Sequence, residues 1–330
     1  MNDDFYLNLA IDEAWKYQGL TYPNPAVGCA IVDKNGQLLA LKAHKKAGCY
    51  HAELGAVKKA LERLDPKLAF PQNPKDLHEF ILRHHGNLLK DSTIYVTLEP
   101  CAHEGKTPSC AILLKHLNIK KVVIGCEDKN KIASGGAEIL KNANIEVSWS
   151  GLKKECKELL EPFWAWQRGN FSFFKLAMSS NGVIKGGIIT CKSSRLLAHK
   201  LRDKCDSLVI GGNTIRIDKP TLDARFCDGR APDILIYSRK KDFDKNIPLF
   251  DVLDRKVFIE DNFDRLKNYK FTMFEGGEGM INALPKEVKW FLIFHAPYFK
   301  NSENIRANLP LKLLWQGKVG KDTYGWYKRA

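Results

Sequence analysis

No apolar run in this chain approaches the ~20 residues that a bilayer-spanning helix requires, so no membrane association is expected. The first residues, MNDDFYLNLAIDEAWKYQ, lack the basic start and unbroken apolar core of a secretory signal. A cytoplasmic location is the expectation that follows. There is no internal repeat and no low-complexity tract, and no dense Lys/Arg tract with interleaved aromatics. The last absence favours small anionic ligands over nucleic acid as the partner of a basic chain. No G-x-G-x-x-G follows a strand-like run, which excludes a standard Rossmann fingerprint. The nine cysteines are odd in number and irregularly spaced in a large chain, which argues against a disulfide framework. Most are expected to be buried thiols, with Cys29, Cys126, Cys156, Cys191, Cys205 and Cys227 chemically inert.

The 330 residues suffice for two domains, and 44% hydrophobic with 27% charged residues is a globular composition. The net charge of +14 is uneven. Residues 1–150 hold 19 Lys/Arg against 17 Asp/Glu, whereas residues 151–330 hold 33 against 21. A basic second half suggests an anionic partner, and phosphorylated small molecules fit best.

Helical and strand patterns alternate in the first half. Helices are expected near 3–18, 51–63 and 108–117, and strands near 26–32, 93–98 and 121–125, which implies an α/β layer. Residues 64–91, with Pro71, Pro74 and the pair His84-His85, interrupt the pattern and read as a surface insertion. A Lys/Glu-rich helix near 152–166 joins the halves. A second α/β pattern follows, with strands at FSFFKLAMS, 207–211, 233–237, 256–260, 270–274 and 289–295. The expected domains are 1–150 and 171–330, with 151–170 as the connecting helix.

His51-Ala52-Glu53 opens a helix, Pro100-Cys101 follows the strand TIYVTLE, and Cys110 lies nine residues beyond Cys101. One imidazole and two thiolates give one zinc ion three protein ligands and leave a tetrahedral position for water, which is a catalytic arrangement. Zinc lowers the pKa of such a water toward ~7. Glu53 is expected to move protons rather than bind metal, taking one from the water and giving one to a leaving nitrogen. Cys101 should lie near a helix start, where the dipole favours its thiolate. A closed structural site would need a fourth ligand, and Cys49, His103 and His44 are near in sequence.

Zinc deaminases pair H-x-E with P-C-x-x-C, but here eight residues separate the cysteines. The strings TYPNPAVGC, HAE and VTLEPCAHEGKTPSC resemble the pyrimidine deaminase domain of bifunctional riboflavin-biosynthesis deaminase/reductases. The resemblance implies a cytidine-deaminase-like three-layer α/β/α domain. It also implies that Asn24 hydrogen-bonds the pyrimidine, that His44 lies near the substrate and that Lys106 and Thr107 meet its phosphoribosyl group.

In the second half KLAMSSNG, GGNTIRIDKPTLDAR and FEGGEGMINAL resemble the reductase domain of the same family, which has a dihydrofolate-reductase-like α/β fold. The pattern T-x-x-x-D-x-P-x-L-x-x-R is matched by Thr214, Asp218, Pro220, Leu222 and Arg225. The resemblance implies NADPH at Met178, Thr214, Asp218, Ser238, Gly277, Glu278 and Gly279. It implies a reductase substrate site at Lys175, Arg202, Leu222, Arg225 and Glu275. Arginines suit a phosphate because their planar fork binds two oxygens. Ser238-Arg239-Lys240-Lys241 ends an expected strand; it is either the place that meets the extra phosphate of NADPH or a solvated basic turn. Asn181 replaces the family's Asp, and the hairpin VIKGGIIT is short and lacks the family's Ser and Trp. The implied enzyme deaminates a diamino-pyrimidinone ribosylamino 5′-phosphate and then reduces its ribose to a ribityl chain. The implied assembly is a homo-oligomer. Two other readings are a nucleic-acid deaminase with an added basic domain and a zinc-stabilised binding protein.

Overall fold

A computed structural model describes residues 2–103, 108–130 and 134–330. The chain divides into two compact units, Met1–Phe163 and Trp164–Ala330.

The first unit begins with α1 (Asp3–Trp15), capped by the Asn2 side chain on the Phe5 N–H. The strands β1 (Gly28–Val32) and β2 (Leu38–Ala43) form a hairpin, followed by α2 (Ala52–Leu64) and α3 (Pro74–His84). Then come β3 (Thr93–Val96), α4 (Cys110–Lys115), β4 (Lys121–Ile124), α5 (Gly136–Asn142) and β5 (Glu146–Trp149). The sheet order is β2-β1-β3-β4-β5. The β1 pairings are antiparallel, while β3, β4 and β5 run parallel. All five residues of β1 are buried, so both faces of the sheet centre are covered by helices. Gly28 is required there: a Cβ would stand 1.9 Å from the Ala10 carbonyl oxygen of α1.

The segment 64–91 departs from the surface insertion expected of it. Asn73 caps Lys75 and Asp76, Pro74 occupies the first turn, and α3 buries Leu77 and Ile81 completely. Proline marks a helix start here, because its missing N–H would have had no partner in the first turn anyway.

The Lys/Glu-rich stretch forms α6 (Lys153–Arg168). The second unit continues with β6 (Phe171–Ser179), α7 (Lys192–Lys204), β7 (Ser207–Gly211), α8 (Gly212–Asp218), β8 (Asp233–Tyr237) and β9 (Val257–Glu260). It ends with β10 (Phe271–Glu275), α9 (Glu278–Ala283), β11 (Trp290–Ala296), β12 (Leu311–Val319) and β13 (Asp322–Arg329). The sheet order is β12-β13-β11-β6-β10-β7-β8-β9, parallel from β11 to β9 with an antiparallel pair at one edge. An aromatic core of Phe171, Phe173, Phe271, Trp290 and Trp326 packs at ring separations of 5.3–6.1 Å. The expected hairpin at 183–190 does not form: Val183 instead makes a single bridge to Asn304, and Gly186 and Gly187 both take left-handed backbone angles. Among the described residues, no helix is long and apolar enough to cross a membrane.

Candidate active sites

His51 is the N-cap of α2 but makes no side-chain capping hydrogen bond, and Glu53 lies buried in the first turn. Cys101 leaves the sheet after β3, and Cys110 is the first residue of α4. Ser109 fastens these parts together. Its hydroxyl donates to the Cys101 carbonyl at 2.7 Å and accepts from the Ile112 N–H at 3.3 Å. The Cys110 N–H donates to Cys101 Sγ at 3.3 Å, so Cys101 meets a helix start as its position suggested.

The ligand atoms of His51, Cys101 and Cys110 all lie within 4.8 Å of one another. His51 Nδ1 is 3.7 Å from Cys101 Sγ and 3.5 Å from Cys110 Sγ. Tetrahedral zinc, with bonds of about 2.05 Å to nitrogen and 2.3 Å to sulfur, requires an N···S separation of roughly 3.6 Å. The donor set and its spacing therefore fit zinc. Among the described residues the cluster has only these three ligands, and His44, Cys49 and His103 are outside it.

The surrounding electrostatics follow from burial. Glu53 is raised to about 7 because burial disfavours its charge, with His51 opposing that shift. Cys110 also opposes the shift of Glu53. The Cys101 thiol is lowered to about 4 by hydrogen bonding from Cys110, with burial opposing and His51 assisting.

Asn24 and His44 join this site. Asn24 Nδ2 is 3.1 Å from His44 Nε2, and His44 Nδ1 is 2.8 Å from the Tyr50 carbonyl. Burial lowers His44 to about 4, so it is neutral at pH 7. With Nδ1 donating to the carbonyl, Nε2 accepts from the Asn24 amide. The His44 and His51 rings meet edge to face at 5.6 Å. Lys106 and Thr107 lie outside the described residues.

Glu99 and Asp128 were missed from the sequence. The Glu99 carboxylate accepts N–H bonds from Asp128, Gly135 and Ala137 at 3.0–3.2 Å and so ties Asp128 to the start of α5. Asp128 is raised, chiefly by burial and further by the charges of Glu99 and Cys101. Glu99 had a signal, since it directly precedes Pro100-Cys101; Asp128 had none.

In the second unit the expected cofactor residues gather where parallel strands end, the usual ligand-binding edge of such a sheet. Met178 is near the end of β6, Thr214 and Asp218 are on α8 directly after β7, and Ser238 follows β8. Gly277 caps α9 after β10, and Glu278 and Gly279 open that helix. Gly212 permits close approach of two of these ends, because a Cβ there would stand 2.6 Å from Ser238 Oγ. The carbonyl of Lys240 accepts from Ser238 Oγ at 2.8 Å and from Arg216 at 3.2 Å. This fixes the basic turn while the side chains of Arg239 and Lys240 stay exposed.

The five expected substrate residues are also brought together. Glu275 is level with Lys175 in the β6–β10 register, and their charged groups are 3.6 Å apart. Arg202 donates to both Glu275 oxygens, at 2.9 and 3.1 Å, and to the Asp223 carbonyl at 3.3 Å. Its fork is thus occupied by Glu275 rather than open to a phosphate. The exposed guanidinium is that of Arg225, which pairs with Asp223 at 3.0 Å. Leu222 is buried with a left-handed φ of 57°. Asp223, His199 and Arg255 were missed. His199 stacks on Phe226 at 4.1 Å, and burial lowers it to about 4.

Three ligands at zinc spacing, with the buried carboxyl of Glu53 two residues beyond His51, define a zinc-binding deaminase centre, and residues 1–126 match the cytidine and deoxycytidylate deaminase zinc-binding region. Riboflavin biosynthesis protein RibD of Aquifex aeolicus is 36% identical over 232 residues, covering 68% of this chain and 58% of that protein. This chain therefore spans less than two thirds of that relative. RibD of Synechocystis is 30% identical over 275 residues, covering 80% of this chain and 68% of the relative. The chain belongs to the RibD family. A Thermotoga maritima diaminohydroxyphosphoribosylaminopyrimidine deaminase/5-amino-6-(5-phosphoribosylamino)uracil reductase matches over 99% of both chains, with a TM-score of 0.64 and 24% identity. That likeness extends the shared fold through the second unit.

Proposed function

We propose that the chain is a bifunctional enzyme of riboflavin synthesis. Its first domain deaminates a diamino-pyrimidinone ribosylamino 5′-phosphate, and its second uses NADPH to reduce the ribosyl group to ribityl. The observation that carries this reading is the His51–Cys101–Cys110 cluster at zinc spacing beside buried Glu53. The ion, when bound, supplies a Lewis acid that makes water acidic enough to react at neutral pH. Glu53 takes the water's proton and delivers one to the leaving exocyclic nitrogen. Asn24 and His44, ordered by their mutual hydrogen bond, orient the pyrimidine, and Lys106 and Thr107 meet its phosphoribosyl arm. Residues 1–150 and 171–330 are the two catalytic domains.

In the second domain the nicotinamide carries the hydride while the protein supplies orientation and charge. Met178, Thr214, Asp218, Ser238 and the turn Gly277–Gly279 hold the cofactor, and the basic turn after Ser238 meets its extra phosphate. Lys175, Leu222, Arg225 and Glu275 face the substrate, with Arg202 fixing Glu275. The enzyme works in the cytoplasm as a homo-oligomer.

The test is an assay of the purified chain that follows ammonia release and NADPH oxidation separately, with RNA and single-stranded DNA as alternative substrates. Turnover of the free phosphoribosyl pyrimidine at both steps is the expected result. Deamination of nucleic acid alone would overturn it.

A further inference from the structure

Residues 219–225 leave α8 as an irregular connection, yet they carry Leu222, Asp223 and Arg225 to the ends of the parallel strands. Two features of this connection need a cause. Leu222 is a γ-branched, buried residue with φ of 57°, a region that side chains other than those of Gly, Asn and Asp rarely adopt. The carbonyls on either side of its α-carbon, those of Thr221 and Leu222, also need donors inside the protein.

Arg255 supplies both. It lies just before β9, far from this segment in sequence. Nη1 donates to the Leu222 carbonyl at 2.8 Å and Nη2 to the Thr221 carbonyl at 2.7 Å, while Nη2 also reaches the carbonyl of Leu249. A planar guanidinium holds two successive carbonyls in one fixed geometry, which a lysine ammonium does not do. Arg255 stays charged at neutral pH, although burial lowers it to about 10. The next residue extends the chain of contacts: the Asp223 carbonyl accepts from Arg202, and its carboxylate anchors Arg225.

We propose that Arg255 is a positioning residue of the reductase substrate site, clamping the left-handed turn at Leu222 so that Arg225 is presented to the substrate's anionic group. This rests on the reductase reading above. Arg255 itself makes no contact with substrate; it acts through the backbone of Thr221 and Leu222.

The decisive variant is Arg255→Lys, which keeps the charge and loses the fork. KM for 5-amino-6-(5-phosphoribosylamino)uracil should rise about tenfold or more. The dissociation constant for NADPH, read by fluorescence, and the rate of ammonia release should each stay within about twofold. Unchanged substrate KM, or equal weakening of NADPH and substrate, would overturn the proposal. A wild-type chain that neither binds nor oxidises NADPH would instead remove the reductase reading, so the two failures are distinct. A double-mutant cycle covers a variant that folds poorly. Glycine takes left-handed angles freely, so Leu222→Gly should restore at least half of the melting-temperature loss caused by Arg255→Lys, or restore folding outright. Additive losses, or a double variant that still fails to fold, would show that the clamp does not hold this turn.

Discussion

Replacing Arg202 by methionine removes a guanidinium from a nearly closed site and leaves the Glu275 carboxylate without its main partner. The two side chains are only 11% and 10% exposed, so solvent does little to compensate. Removing one member of a buried ion pair costs about 3–5 kcal/mol. Lys175 remains 3.6 Å from Glu275, which reduces the expected loss to about 2–4 kcal/mol. For a unit of this size that corresponds to roughly 5–15 °C in the melting transition of the second unit. The loss should depend on pH in a defined direction. In the native chain burial pushes Glu275 up, but Arg202 and then Lys175 outweigh it and hold it below its ordinary 4.5. Its stabilising charge is therefore fully present above 4.5 and is lost as the pH falls through the lower native value. Without Arg202, burial is opposed mainly by Lys175, the carboxyl pKa rises, and the variant escapes its penalty by taking up a proton. Calorimetry of both proteins should show the widest gap at pH 7 and a narrower one near pH 4. A gap of equal size at both pH values would refute an uncompensated carboxylate as its cause and leave lost packing instead.

Other perturbations address the first unit. Glu53→Gln should reduce ammonia release at least about a hundredfold, the lower end for loss of a general acid–base group, while zinc stoichiometry, and NADPH oxidation with the deaminated pyrimidine supplied directly, stay unchanged; loss of zinc would show that Glu53 is a ligand. Cys110→Ser should lower zinc content measured by metal analysis, and an unchanged stoichiometry would exclude Cys110 from the metal set. Leu77→Ala should destabilise the first unit by about 2–5 kcal/mol in denaturant unfolding, because Leu77 is fully buried in α3; a change under about 0.5 kcal/mol, the scale of surface substitutions, would return residues 74–84 to the status of a surface insertion.

What could be read from the sequence divides along physical lines. The strands β6, β7 and β8 were legible at their observed bounds because central parallel strands are buried on both faces and read as nearly continuous apolar runs. β5 has no buried residue and β12 lies at the sheet edge with no buried residue, so neither carries that signal, and both were missed. α3 was missed for a different reason: Pro74 was read as an interruption although Asn73-Pro74 is a start signal. The metal cluster was legible because His51, Cys101 and Cys110 act through side chains whose chemistry is specific to their residue type. Lys175, Arg202 and Glu275 were reached through the resemblance to the reductase family alone, and their ion pairs became visible only in the fold. Arg255 shows where such reading ends. Its acceptors are the carbonyls of Thr221, Leu222 and Leu249, groups that every residue carries. A contact of side chain to main chain leaves its trace on one residue only, and an arginine ahead of a strand has no pattern to distinguish it from a solvated one. The left-handed leucine is equally silent, because its conformation is imposed by the clamp and not by its own preference. Positions of this kind are the ones a fold must supply.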